Sequence, residues 1–177
     1  MTISVTDIFA IGIGPSSSHT VGPMRAAKQF LDSLDTHPAR VSAELRGSLS
    51  ATGRGHASDR AVILGLAGWE PLTVPIDAEP QAGGTIPSEG TISGPSGTVD
   101  YEIPFDNEPL PQHPNGMIFK AWDAEGNILA EDEQYFSVGG GFILSRKELD
   151  AEMADSHEVP AGVAAATVED TVPLSLI

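Results

Sequence analysis

The amino-acid sequence predicts an α+β fold, with a mixed or antiparallel sheet and helices packed on one of its faces. Two observations support this prediction. Two segments with helical periodicity lie within the first 70 residues, and most of the segments in which apolar and polar residues alternate follow them. Helices near one end of a sequence and strands towards the other are typical of this class. At 177 residues, the chain is long enough for one domain with a substantial core.

The first helix is predicted to begin at Pro23, because proline suits the first turn of a helix, where its missing N–H costs nothing. It is expected to continue to about Leu34, since the residue before Pro38 is pushed out of helical angles. Its buried stripe is formed by the apolar residues at helical spacing, Met24, Ala27, Leu31 and Leu34. Residues 40–46 then alternate apolar and polar side chains, which predicts a strand with one solvated face.

The glycine- and serine-rich segment that follows, residues 47–55, is expected to be a loop. Ser58 is predicted to cap a second helix. This helix should end at Gly68, in the position that glycine favours after a helix. Its interior, residues 61–67, is apolar on nearly every side and should be well buried.

The middle of the chain, residues 71–97, is rich in proline and glycine and has no long periodic pattern. We expect a short strand at residues 72–76, followed by a long irregular loop. Val99, Tyr101 and Ile103 then alternate with acidic residues, which predicts another strand.

The last third of the chain is predicted to contain a β-hairpin and a short helix. Residues 117–122 and 127–138 flank a tight polar turn at residues 123–126, as strands of a hairpin do. Ser145 and Glu148 have the spacing of a capping box, which opens a last helix.

The charge of the chain is strongly negative and unevenly distributed. The net charge of −16 argues against a nucleic-acid partner, because no basic surface is available to neutralise phosphates. Residues 1–60 carry six Lys or Arg and five Asp or Glu, whereas residues 61–177 carry three and twenty. The first third is therefore the part best suited to an anionic substrate, although acidic residues elsewhere also serve solubility.

Composition also indicates a cytoplasmic protein that does not enter a membrane. No run of residues is long and apolar enough to span a bilayer. The first residues lack the basic and then apolar segments of a secretory signal. The chain contains no cysteine, and therefore no disulfide, which fits the cytoplasm.

The most informative segment is residues 12–23, which reads GIGPSSSHTVGP. It gathers four hydroxyl side chains and one imidazole in five residues, just before the first predicted helix. The start of a helix has free N–H donors and partial positive charge, which suit a carboxylate or phosphate. Serine and threonine at this position are also common helix caps, so both roles are open.

This segment resembles the opening of the iron–sulfur L-serine dehydratases, also called L-serine ammonia-lyases. The resemblance continues in the same order through further blocks and covers residues 3 to about 150. The matching blocks are Gly12 to Ala26, Gly47 to His56, Leu64 to Gly68, His113 to Met117 and Tyr135 to Phe142. Such a series of blocks is far more specific than any one motif.

The resemblance implies a role in serine catabolism and gluconeogenesis, through dehydration of L-serine to pyruvate and ammonia at a [4Fe–4S] cluster. In that family, cysteines of a separate alpha domain or subunit hold the cluster. This chain has no cysteine and so resembles the beta part alone. The implied partners are L-serine, the alpha part and a second copy in a homodimer. The beta part is similar in fold to the allosteric substrate-binding domain of phosphoglycerate dehydrogenases.

The expected organisation is a beta-type domain over residues 1–155. Residues 156–177 are then a linker or disordered tail towards the missing catalytic alpha domain.

The site residues follow from the resemblance and from the chemistry of elimination. Removing the Cα proton of serine needs a base, and histidine titrates in the useful range. His19 and His56 match histidines that the family places at its active site, and they are the catalytic candidates. The candidates for substrate binding are Ser16, Ser17, Ser18, Thr20, His113 and Asn115. No residue is predicted to bind metal. A regulatory serine-binding module and a dimerisation domain without a catalytic role are the alternatives.

Overall fold

The computed structural model describes residues 16–80 and 86–157. A single π-helical turn, Ser17–Val21, leads directly into the first α-helix. The helices are α1 Gly22–Asp32, α2 Ser48–Gly53, α3 Ser58–Leu66 and α4 Arg146–His157. The strands are β1 Arg40–Arg46, β2 Glu89–Gly94, β3 Gly97–Glu102, β4 Phe105–Asp106, β5 Gly116–Trp122, β6 Ile128–Gly139 and β7 Phe142–Ser145.

The strands form one mixed sheet, in the order β2-β3-β1-β5-β6-β7 among the described residues. Strand β1 pairs in parallel with β3 and, near its end, with β4, and it pairs antiparallel with β5. The remaining neighbours pair antiparallel. Helices and a mixed sheet in one unit confirm the predicted α+β class.

The core lies between helices α1 and α3 and the sheet face that carries Val41, Ala43 and Leu45. These three side chains are fully buried, as the alternation in β1 predicts. Phe30 of α1 stacks on Phe119 of β5 with ring centroids 4.8 Å apart. The predicted burial of residues 61–67 is also confirmed.

The predicted loop at residues 47–55 is wrong, because most of it forms helix α2. Gly47 has a φ of +57°, which lets the chain turn sharply from β1 into the helix. The N–H of Gly47 donates to the carbonyl of Asp106, and its carbonyl accepts from Ala51. The helix buries Leu49 in the core. Composition suggested a loop, but tertiary packing determines the outcome.

Two further local predictions are wrong. Ala57, with a φ of +57°, occupies the N-cap position of α3, and the hydroxyl of Ser58 donates to the carbonyl of His19 instead of capping the helix. Residues 72–76 form turns rather than a strand, and the side chain of Ile76 is fully exposed. Part of the predicted loop, residues 89–94, is strand β2.

The C-terminal elements agree with the sequence. The hairpin of β5 and β6 turns at residues 123–126, and Asp123 accepts from the N–H groups of Glu125 and Asn127. The carboxylate of Glu148 accepts from the N–H of Ser145 at 2.7 Å, which confirms the capping box.

Helix α4 continues two residues past the predicted boundary at residue 155. Residues 158–177 of the predicted tail lie outside the described residues, and so do residues 12–15, the start of the serine-rich segment 12–23, called the serine loop below.

Candidate active site

The site is built around the π-helical turn that opens α1. The N–H groups of Thr20 and Val21 both point to the carbonyl of Ser16, at 3.0 and 3.4 Å. The hydroxyl of Ser16 accepts from the N–H of His19 at 3.2 Å, so Ser16 caps the turn. A π-turn is uncommon and often marks a functional site. It directs the side chain of His19 towards Ser48 of helix α2.

The imidazole of His19 is held between two hydroxyls. Its Nδ1 lies 2.9 Å from Ser18 Oγ, and its Nε2 lies 3.0 Å from Ser48 Oγ. The backbone of Ser48 is itself fixed, since its N–H donates to the carbonyl of Pro114 and its carbonyl accepts from Thr52. A neutral imidazole carries one donor and one acceptor, so one hydroxyl donates to it and the other accepts from it.

His56 lies beside His19, with ring centroids 5.2 Å apart. The hydroxyl of Thr20 donates to the carbonyl of His56 at 2.9 Å, and His56 Nδ1 lies 3.1 Å from the carbonyl of Thr52. Burial, and then the neighbouring His56, lower the pKa of His19. The imidazole of His19 is therefore mostly neutral at pH 7, the form that can accept a proton.

The four predicted hydroxyl ligands fall into two groups. The side chain of Ser17 is exposed and that of Ser18 is half-buried. The N–H groups of these two residues have no acceptor among the described part of the chain. Ser16 and Thr20 use their hydroxyls within the protein, and Thr20 is buried. Contact of all four with substrate stays a prediction, and Ser17 has the most exposed of the four side chains.

The structure brings the turn at His113 and Asn115 to the same place. The side chain of Asn115 donates to the carbonyl of Ser137 at 3.2 Å, and the N–H of Ser137 donates to the carbonyl of Asn115 at 3.0 Å. The hydroxyl of Ser137 donates in turn to the carbonyl of Ser18 at 2.7 Å. Burial lowers the pKa of His113, and its Nδ1 accepts from the N–H of Asn115. This turn therefore supports the serine loop from the sheet side.

Comparison with known proteins gives the family of this chain. The family model of the serine dehydratase beta chain matches residues 4–148. The chain belongs to this family. Its match includes all the predicted site residues, and the resemblance seen in the sequence is confirmed.

Several relatives of the beta chain family are named L-serine dehydratase. L-serine dehydratase TdcG of Escherichia coli is 44% identical over 91% of this chain and 37% of its own length. The L-serine dehydratase of Mycobacterium tuberculosis is 48% identical over 83% of this chain and 34% of its own. That of Streptomyces coelicolor is 46% identical over 86% and 36%. The chain thus spans about a third of the length of these relatives.

Sequence reasoning gave three serines no role at this site, although it predicted Ser58 as a helix cap. Ser48 lies at 3.0 Å from the candidate base, and Ser58 and Ser137 donate to the carbonyls of His19 and Ser18. Ser48 and Ser137 fall inside the blocks shared with the beta chain family. Those blocks were the signal that could have pointed to them.

The residues of this chain do not fit an iron–sulfur cluster. The sequence has no cysteine, and the described residues hold no group of three His, Cys, Asp or Glu side chains arranged for a metal ion. Within the same described ranges, no helix is long and apolar enough to cross a membrane.

Proposed function

We propose that this chain is the substrate-positioning beta part of an L-serine ammonia-lyase, which converts L-serine to pyruvate and ammonia. The observation that carries the proposal is the environment of His19. The imidazole lies between two hydroxyls, beside a second histidine and at the start of a helix. The names of the relatives, L-serine dehydratase, supply the reaction.

The imidazole pair is suited to the proton transfer of the reaction. Dehydration of serine removes the Cα proton and expels the β-hydroxyl. His19, with its lowered pKa, is mostly neutral at pH 7 and accepts a proton at one ring nitrogen once substrate replaces a hydroxyl there. The ring of His56, 5.2 Å away, is the second candidate for the base.

The start of the π-turn is suited to the substrate carboxylate. The exposed hydroxyl of Ser17 and the half-buried hydroxyl of Ser18 lie there. The partial positive charge at the N-terminus of a helix favours an anion near the first residues. The side chain of Ser17 is the most exposed of the four predicted hydroxyl ligands, whereas the hydroxyl of Ser18 lies 2.9 Å from His19 Nδ1 and would have to leave the imidazole to bind substrate. Ser16, Thr20, His113 and Asn115 then act mainly by holding the loop in place.

Departure of the β-hydroxyl needs a Lewis acid that no residue of this chain supplies. In the proposed enzyme this is the [4Fe–4S] cluster of a catalytic alpha domain or subunit. That part corresponds to the two thirds of the relatives that this chain does not cover. A homodimer in the cytoplasm, in the pathway of serine breakdown, is the proposed setting.

The experiment compares three preparations for pyruvate formed from L-serine: this chain alone, the catalytic part alone, and the two together. We expect turnover only from the two together, with the iron content unchanged by this chain. Turnover by this chain alone would contradict the proposal. Full turnover by the catalytic part alone, changed only in rate when this chain is added, would also contradict the proposal. That result is the one expected of a regulatory module.

A further inference from the structure

One carbonyl in the π-turn lacks the donor that a continuous helix would provide. Residue 23 is proline, which has no N–H. If residue 23 had an N–H, it would donate in an α-helix to the carbonyl four residues earlier, that of His19. In a π-helix it would donate to the carbonyl five residues earlier, that of Ser18. Either way, Pro23 leaves an acceptor at the base of the candidate site without its usual partner.

Buried serines from two other elements donate to both of these carbonyls. Ser137, in strand β6, donates its hydroxyl to the carbonyl of Ser18 at 2.7 Å. Ser58, in the first turn of α3, donates its hydroxyl to the carbonyl of His19. Both side chains are fully buried, at 0% exposure. Neither bond is local, since 119 and 39 residues separate the partners along the chain.

Glycines opposite both serines make this close approach possible. A Cβ atom on Gly22 would lie 2.1 Å from the hydroxyl oxygen of Ser137, which is too close to be tolerated. A Cβ atom on Gly53 would lie 3.3 Å from the Cβ of Ser58. The start of α1 therefore packs directly on the sheet, with the serine hydroxyl directed at the turn.

We propose that Ser58 and Ser137 are positioning residues that hold the π-turn, and through it the imidazole of His19. One of the two hydroxyls replaces the N–H that Pro23 lacks, and both bind carbonyls of the π-turn, so together they favour the π conformation over a regular α-turn. A π-turn contains one residue more than an α-turn, and each residue of an α-helix is rotated by about 100° from the next. A change of this turn from π to α winding would therefore redirect His19 away from Ser18 and Ser48. The expected loss of catalysis rests on the proposed function, whereas the expected change in the position of the His19 imidazole does not.

The test observes His19 in the 177-residue chain by NMR, through the ¹⁵N shifts and the titration of its imidazole. In Ser58→Ala and in Ser137→Ala we expect the ring-nitrogen shifts to change. The pKa of His19 should rise towards the ordinary value of about 6.5, since the ring becomes more solvated. His113, whose pKa burial also lowers, is the internal control for Ser58→Ala.

Ser33→Ala is the matched control variant. Ser33 also donates its hydroxyl to a carbonyl of α1, that of Phe30 at 2.6 Å, but at the other end of the helix. It should leave the signals of His19 unchanged. If both site variants lower the melting temperature and leave the shifts and pKa of His19 as in the wild type, the two serines only stabilise the fold and the inference is wrong.

A double variant separates positioning from stability even where Ser58→Ala folds poorly. Pro23→Ala returns an N–H that can donate to the carbonyl of His19 in an α-turn. Added to Ser58→Ala, it should restore the melting temperature while His19 stays displaced. A double variant with the wild-type signals of His19 would overturn the inference.

Kinetics then separate this inference from the proposed function. In the enzyme assembled with the catalytic part, Ser58→Ala should reduce kcat for L-serine on the order of 10²-fold, the loss typical of a misplaced catalytic group. Displacement of His19 without any loss of kcat would leave the positioning role intact and refute the assignment of His19 to the reaction. A reduced kcat with unchanged NMR signals of His19 would refute the positioning role and leave the assignment of His19 to the reaction intact.

Discussion

The contact between helix α1 and strand β6 predicts an unusual result for Gly22→Ala. In the first turn of a helix, replacing glycine by alanine normally stabilises a protein by up to about 1 kcal/mol. At this position the new Cβ would lie 2.1 Å from the hydroxyl oxygen and 2.9 Å from the Cβ of Ser137. Both residues are buried, so the helix or the strand must move.

The expected loss of stability follows from that geometry. Overpacking of a well-filled core costs about 1–3 kcal/mol, and loss of the hydrogen bond from Ser137 to Ser18 adds about 1 kcal/mol. After the gain from alanine, Gly22→Ala should be less stable by roughly 1–3 kcal/mol. For a chain of this size that lowers the melting temperature by about 2–12 °C.

The assay is urea unfolding followed by circular dichroism, with Gly55→Ala as the control. A Cβ on Gly55 would meet only one atom, at an ordinary 3.5 Å, so this variant should be neutral or slightly stabilising. Gly22→Ala with Ser137→Gly removes both close contacts and should recover part of the loss. A Gly22→Ala protein as stable as the wild type would refute the close packing of the helix start on the sheet.

Three further predictions concern the site and its support. Ser18→Ala should raise KM for L-serine roughly ten- to a hundredfold in the assembled enzyme; a lower melting temperature with KM unchanged would mean that Ser18 is only structural. Stability should fall as the pH drops below about 6.5, because His19 and His113 have lowered pKa values and the unfolded chain then binds more protons. In urea titrations at several pH values, His113→Gln should reduce the slope of the unfolding free energy against pH, and a slope equal to that of the wild type would contradict this prediction. Gly47→Ala should cost roughly 2–5 kcal/mol, since its φ is +57° and its Cβ would lie 2.4 Å from a carbonyl oxygen. Gly126→Ala, which meets nothing within 4 Å, is the control for unfolding, and equal losses in both would remove the steric argument.

The sequence predicts the helices and strands that have strong periodicity. The apolar stripe of α1, the alternation in β1 and the capping box at Ser145 are local signals, and each is confirmed. Helix α2 was missed because its composition is that of a loop. Its start depends on Gly47 packing against the turn at residue 114, a contact that no local pattern contains.

At the candidate site, too, the sequence predicts some features and not others. The resemblance identified the loop, the two histidines and the turn at Asn115, and the structure brings these segments together. It did not assign roles to Ser58 and Ser137, because each acts through a carbonyl that is distant in sequence. Ser58 has the residue type of a helix cap, but Ala57 occupies the N-cap position and the hydroxyl of Ser58 donates to the carbonyl of His19 instead.

The most direct measurement is kcat/KM for L-serine in the proposed enzyme, assembled from this chain and the proposed catalytic part. His19→Ala and His56→Ala are each compared with the wild type at equal iron content. We expect each to lower kcat/KM by about 10²–10⁴-fold, as loss of a general acid or base does. His37→Ala, which alters an exposed histidine bonded to the carbonyl of Thr98, should have no effect. Rates near the wild type in both His19→Ala and His56→Ala would mean that the imidazole pair takes no part in the reaction.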